Sequence, residues 1–249
     1  MLIQSQLQGV SPSKRQMSID QRANQRREVL TLSPGEQISQ NFEAVIFDCD
    51  GTLVDSEPIT VKVLIDYVRE FGLELDFEEA HGLFVGRDMQ SIAAWIKDNH
   101  GTRLPDIFPE EFRARQAVAL KESVLPIDGA HQLLTAMTKP FCVASNAPQA
   151  KIAINLEVTG LDQFFTADRT FSAYDINVWK PQPDLFLYAA EKLNVDPANC
   201  VVIEDSIAGI DAGVAAGMQV VGYSKTKAVQ PTDKIPFVHC LSELIQHLA

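Results

Sequence analysis

From residue 42 onward the chain alternates between short runs that are apolar throughout and longer stretches with helical spacing. Residues 44–47, 141–144, 201–203 and 220–223 have the length and β-branched content of buried strands. A strand with no polar alternation is covered on both faces, and alternation with helices makes it part of a parallel sheet between two helical layers. Helical patterns over 130–137, 149–158, 183–193 and 207–216 supply the crossovers, the second of them ending at Gly160. Ligands of such sheets sit beyond the carboxyl ends of the strands.

Between the first and second runs the pattern is helical almost without interruption. Ser56 can cap a helix with Pro58 in its first turn and Val61, Leu64, Ile65, Val68 and Phe71 on one stripe, stopped by Gly72. Asp76 and Glu79 have capping-box spacing for a second helix, and Asp88 can cap a third running through Trp95. Pro109 opens a fourth with Phe112, Gln116 and Leu120 in line. Residues 57–126 are therefore expected to form a small helical domain inserted into a sheet domain of residues 42–56 and 127–249. Its exits would be Asp55-Ser56 and Pro126-Ile127-Asp128-Gly129.

With 249 residues, 46% of them hydrophobic, the chain can bury a large core and a small accessory one, which excludes disorder of the whole. The formal charge is −12. Residues 1–41 run against it: Lys14, Arg15, Arg22, Arg26 and Arg27 oppose Asp20, Glu28 and Glu36, so that segment is +2 and the remainder −14. An acidic body repels phosphate backbones and anionic lipid, so neither nucleic acid nor a membrane is expected as a partner. Residues 1–41, rich in Gln and Ser, read as a flexible extension; Met17 could be a second initiator, and the acid-free start would also suit a transit peptide. Cys49, Cys142, Cys200 and Cys240 form no C-x-x-C pair and read as reduced core thiols. No apolar stretch is long enough for a membrane span, and no secretory signal is apparent, so a cytoplasmic monomer is expected.

The candidate chemistry lies where the apolar runs end. Residues 44–47 lead into Asp48-Cys49-Asp50-Gly51-Thr52, two acids at a strand tip before a glycine turn. In extended backbone residues i and i+2 point the same way, so both carboxylates could serve one centre. Such a pair needs a compensating positive charge, and its oxygen ligands suit Mg²⁺. The second run ends in Ser145-Asn146, whose hydroxyl and main-chain amides could hold phosphoryl oxygens or simply start a helix before Pro148. The third ends in Glu204-Asp205, a second acidic tip that a shared cation would explain. Lys180, between Trp179 and the prolines Pro181 and Pro183, offers a point charge suited to phosphate.

At these four segments the sequence resembles the haloacid dehalogenase superfamily, in the subgroup with a helical cap inserted after the first strand. Asp48-Cys49-Asp50-Gly51-Thr52 fits the first motif, Ser145 the second, Lys180 the third and Glu204-Asp205 the fourth. The resemblance implies a Rossmann-like α/β core, Mg²⁺ dependence and phosphoryl transfer through an aspartyl-phosphate. Asp48 would be the nucleophile, Asp50 the general acid and base, and Ser145, Asn146 and Lys180 the phosphate site. Asp48, the main-chain carbonyl of Asp50, and Asp205 would hold the metal, supported by Glu204. An acid at Asp50 disfavours the dehalogenase and phosphonatase branches, and Thr60 stands where the β-phosphoglucomutases carry a histidine. Residues 173–181, 205–209 and 216–218 look most like the bacterial 6-phosphogluconate phosphatases. The expected substrate is a small phosphorylated sugar or sugar acid, with Arg87 on the cap facing its leaving group. Two alternatives remain open: a sugar phosphomutase, and a non-enzymatic receiver-like domain phosphorylated on Asp48.

Overall fold

A computed structural model describes residues 42–85, 87–225 and 235–248. The expected extension over residues 1–41, with Met17, lies outside the described residues, as does Gly86. In chain order the elements are β1 (Ala44–Phe47), α1 (Glu57–Arg69), α2 (Phe77–Phe84), α3 (Met89–His100), α4 (Phe108–Ser123), α5 (Ala130–Ala136), β2 (Phe141–Ser145) and α6 (Gln149–Thr159). There follow β3 (Thr170–Ser172), α7 (Ala173–Ile176), α8 (Asp184–Leu193), β4 (Cys200–Glu204), α9 (Ile207–Ala215), β5 (Gln219–Tyr223), β6 (Phe237–Val238) and α10 (Ile245–Leu248).

The sheet has the order β3-β2-β1-β4-β5-β6, with every pairing parallel. Successive strand residues feed opposite layers. Val45, Phe47, Val143, Val201, Ile203 and Val221 pack with Leu133, Leu134, Ile152 and Leu156 of α5 and α6. Ala44, Ile46, Cys142, Ala144, Val202 and Val220 pack with Leu185, Phe186, Ala189 and Ile210 of α8 and α9. Burial on both faces is why these strands read as unbroken apolar runs. Each large aliphatic or aromatic side chain buried in this way contributes about 1.5–3 kcal/mol. Two strands carry no such signal: β3, Thr170-Phe171-Ser172, has one apolar residue and β6 has only two residues, too few for a period to register.

Helices α1 to α4 share a third cluster, in which Val61, Leu64, Tyr67, Phe84, Ile92, Ile96, Phe108 and Phe112 are buried. Asp76 and Asp88 cap α2 and α3 by accepting from the N–H groups two and three residues on. Helix α3 runs past Trp95 to His100, where Gly101 at φ 68° ends it. Ser56 occupies the position before α1 but makes no cap bond, because its hydroxyl donates to Asp50 instead. The chain enters and leaves this helical segment as a ribbon. The Asp55 N–H donates to the Leu125 carbonyl (2.9 Å) and the Ile127 N–H to the Leu53 carbonyl (2.9 Å).

Candidate active site

Parallel register brings the two acidic tips together. Phe47 pairs with Ile203, so Asp48 and Glu204 emerge side by side, and the Asp48 N–H donates to the Ile203 carbonyl at 3.0 Å. Beyond Asp48 the chain turns at Gly51, at φ +87°, where a Cβ would lie 2.2 Å from Asp205 Oδ2. Only glycine satisfies both demands. Thr52 Oγ1 donates to Asp205 Oδ1 at 2.7 Å, which ties the fourth motif to the first. One carboxylate oxygen each from Asp48, Glu204 and Asp205 lie within 4.8 Å of one another.

Lys180 threads into this cluster from the loop before α8. Its Nζ donates to Asp48 Oδ1 at 2.5 Å and to Glu204 Oε2 at 2.7 Å, with the lysine side chain only 2% exposed. Glu204 is fixed from the other side, where Oε1 accepts from the Asp205 and Ser206 N–H groups and the Ser206 hydroxyl at 3.0–3.1 Å. A Cβ at Gly209 would stand 1.8 Å from Glu204 Oε2, so α9 must present a bare glycine to let the carboxylate lie there. Asn146 clamps the lysine main chain, accepting from the Lys180 N–H (2.9 Å) and donating to its carbonyl (3.3 Å). The Asn146 side chain is thus engaged, which leaves its main-chain amide for the phosphate contact expected from the sequence. Ser145 is buried, and its hydroxyl accepts from the Ala147 N–H at 3.1 Å.

Burial, and then the Glu204 charge, push the Asp48 carboxyl up to about 8, outweighing the Lys180 ammonium. Burial also raises Asp205, followed by the charges of Glu204 and Asp48. Lys180 is raised as well: its burial opposes the charged form, but Asp48 and Glu204 together overcome it. The carboxylates of Asp48, Glu204 and Asp205, gathered within 4.8 Å, face one ammonium group, Lys180. The excess of two negative charges and the all-oxygen donor set fit one hard divalent cation.

Asp50 has a different environment. Its Oδ1 accepts from Lys151 Nζ at 2.8 Å, from Asn155 Nδ2 at 2.9 Å and from the Ser56 hydroxyl. Burial alone would raise Asp50, but the Lys151 charge and these hydrogen bonds hold it below its usual value. Lys151 and Asn155 are one turn apart on α6 and carry no motif, because the stretch reads as an ordinary crossover helix. Glu57, at the start of α1, was also missed. Burial and then the Asp50 charge push it up to about 7, and His81 of α2 lies 3.8 Å away. Of the two cap positions named from the sequence, Thr60 accepts a hydrogen bond from buried Gln116 at 2.9 Å. Arg87 is exposed between α2 and α3, and among the described residues no hydrogen bond links it to the strand tips.

The family model of haloacid dehalogenase-like hydrolases matches residues 42–217. The 6-phosphogluconate phosphatase of Escherichia coli K12 is 38% identical over 209 residues, covering 84% of this chain and 92% of that protein. The fructose-1-phosphate phosphatase YqaB of the same organism is 30% identical over 183 residues, covering 73% of this chain and 96% of its own. Among solved structures, a haloacid dehalogenase-like protein of unknown function from Agrobacterium tumefaciens superposes with a TM-score of 0.72 at 30% identity, covering 82% of this chain and 96% of that one. The matched span carries every strand-tip residue from Asp48 to Asp205, and the chain belongs to the haloacid dehalogenase-like hydrolases.

Proposed function

We propose that this phosphatase hydrolyses a small phosphorylated sugar or sugar acid through a covalent phosphate on Asp48, with α1 to α4 acting as a cap domain over the strand tips. The observation that carries the reading is the buried Asp48–Lys180–Glu204 array beside Asp205, at the carboxyl ends of β1 and β4. A carboxylate approaching a phosphate dianion meets about 8 kcal/mol of repulsion at ~4 Å and an effective dielectric of ~20. Left uncompensated, that is about six orders of magnitude in rate. Lys180, fixed against Asp48, offsets part of it, and Ser145 with the Asn146 amide can hold the equatorial oxygens. Asp48, Asp205 and the main-chain carbonyl of Asp50 would hold Mg²⁺, supported by Glu204, and the ion would supply the remaining positive charge.

In the first step an Asp48 oxygen bonds to phosphorus while the bond to the sugar oxygen breaks, and Asp50 gives that oxygen a proton. In the second, a water oxygen bonds to phosphorus while the bond from phosphorus to the Asp48 oxygen breaks, the proton of water passes to Asp50, and inorganic phosphate leaves with both carboxyl groups restored. The lowered Asp50 suits the second step, in which the carboxylate takes the proton of water; the proton it gives in the first step would be taken up from solvent before the cap closes. Cap closure would exclude bulk water and set substrate choice, with Arg87 as one candidate contact. The substrate class rests on the sugar-phosphate phosphatases among the relatives, and 6-phosphogluconate is the first compound to try.

A panel of phosphorylated sugars and sugar acids, assayed for phosphate release with Mg²⁺ and with EDTA, tests this. Steady Mg²⁺-dependent release is expected. A single phosphorylation without turnover would indicate a receiver-like domain instead, and an isomerised sugar phosphate a mutase.

A further inference from the structure

We propose that Lys151 and Asn155 on α6 are positioning residues, which fix one oxygen of the Asp50 carboxylate so that the other is presented for proton transfer. This rests on the assignment of Asp50 as acid and base. The geometry is unusually one-sided: Lys151 Nζ, Asn155 Nδ2 and the Ser56 hydroxyl all converge on Oδ1. A carboxylate oxygen offers about two lone pairs, so Oδ1 is saturated and a proton can be exchanged only at Oδ2. Residues four apart on a helix lie on one face, so Lys151 and Asn155 act as a two-pronged fork whose handle is α6.

Asn155 carries the argument beyond ordinary packing. Its side chain is completely buried, and its Oδ1 has no hydrogen-bond partner. A buried amide oxygen left unpaired lowers stability, and an apolar residue of similar size would avoid that. What the amide provides in return is its N–H to Asp50, beside a side-chain hydrogen bond with the Cys49 thiol. The need for such a fork is geometric. A general acid must reach the leaving oxygen within hydrogen-bonding distance, and about 1 Å of misplacement can cost 100-fold in rate.

The test uses the full chain with Mg²⁺ and p-nitrophenyl phosphate, comparing wild type with Lys151→Met, Lys151→Arg, Asn155→Leu, Asp50→Asn and the Lys151→Met/Asp50→Asn double variant. Lys151→Met and Asn155→Leu are each expected to lower kcat about 10- to 100-fold with KM changed less than about threefold. Lys151→Arg should recover most of the loss, and Asn155→Leu should leave Tm unchanged or raise it. The p-nitrophenolate leaving group needs little help from an acid, so Asp48 should still be phosphorylated in these variants. The phosphoenzyme should therefore accumulate in acid-quenched samples, because its hydrolysis is the slowed step. In the Asp50→Asn background, Lys151→Met should change neither turnover nor the rate of phosphoenzyme formation by more than about twofold. An equal loss in that background, or a raised KM with kcat intact, would overturn the proposal and make Lys151 a substrate contact. A fall in Tm that tracks the fall in kcat across both sites would reduce them to structural residues. If wild type neither forms a phosphoenzyme nor releases phosphate, it is the proposed function that fails.

Discussion

Asp48 and Asp50 are the same residue type two positions apart, yet the fold gives them opposite surroundings. Asp48 sits among other acids at the sheet tip, and burial with the Glu204 charge raises it to about 8 even against the Lys180 ammonium. Asp50 lies just past the sheet, where α6 and the residue before α1 supply donors, and is lowered. The difference teaches that chemical role here is set by which element supplies the partner. The sheet side packs three carboxyl groups around a single lysine, and the α6 side gives Asp50 an ammonium group of its own.

Removing the proposed nucleophile should have the largest effect on this contrast. Asp48→Asn keeps the shape and the Lys180 contact distance, and is expected to lower kcat by about four orders of magnitude or more while the far-ultraviolet circular dichroism stays as in wild type. Next comes the lysine that Asp48 shares with Glu204. Lys180→Met leaves Asp48 and Glu204 buried without their partner. A stability loss of about 3–5 kcal/mol in urea titration is expected, together with loss of turnover. A smaller change follows at the glycine under Glu204: Gly209→Ala must push the carboxylate aside, and a roughly tenfold fall in kcat should accompany a rise in the Mg²⁺ concentration needed for half-maximal activity.

The smallest effect is in the pH dependence of stability, and its sign is fixed by the raised groups. Asp48, Asp205 and Glu57 bind their protons more tightly folded than unfolded. Without metal, stability should therefore fall as pH rises from about 4, the ordinary carboxyl range, through about 8, where Asp48 finally ionises. The lowered Asp50 opposes this only below its ordinary value, where its contribution is lost as pH falls. Mg²⁺ should flatten the alkaline side, because it stabilises the ionised acids. Thermal melts at pH 5 and pH 8, with Mg²⁺ and with EDTA, give the comparison. A metal-free protein that melts higher at pH 8 would contradict the picture of an underneutralised cluster.

The strand-tip residues were legible because the sequence marks where strands end. Asp48, Ser145 and Glu204 each follow a run of buried apolar residues, and a parallel sheet brings such ends to one edge. Lys180 could be read from its rigid prolines and its company. Lys151, Asn155 and Glu57 could not, since each lies on a helix where a polar residue has many ordinary uses, and only the packing of α6 and α1 against the tip gives them partners. Ser56 misled for a related reason: its place before α1 is that of a cap, but a buried carboxylate competes for the same hydroxyl. Strands β3 and β6 are shorter than the period that would reveal them.

The most direct measurement is to mix the protein with p-nitrophenyl phosphate and Mg²⁺, quench in acid within the first turnover and locate the phosphate by fragmenting the peptide that spans residues 44–53. Phosphate on Asp48, absent when Asp48→Asn is treated alike, is the expected result. Phosphate on Asp50 or on no residue, with turnover intact in Asp48→Asn, would contradict the division of labour between the two aspartates.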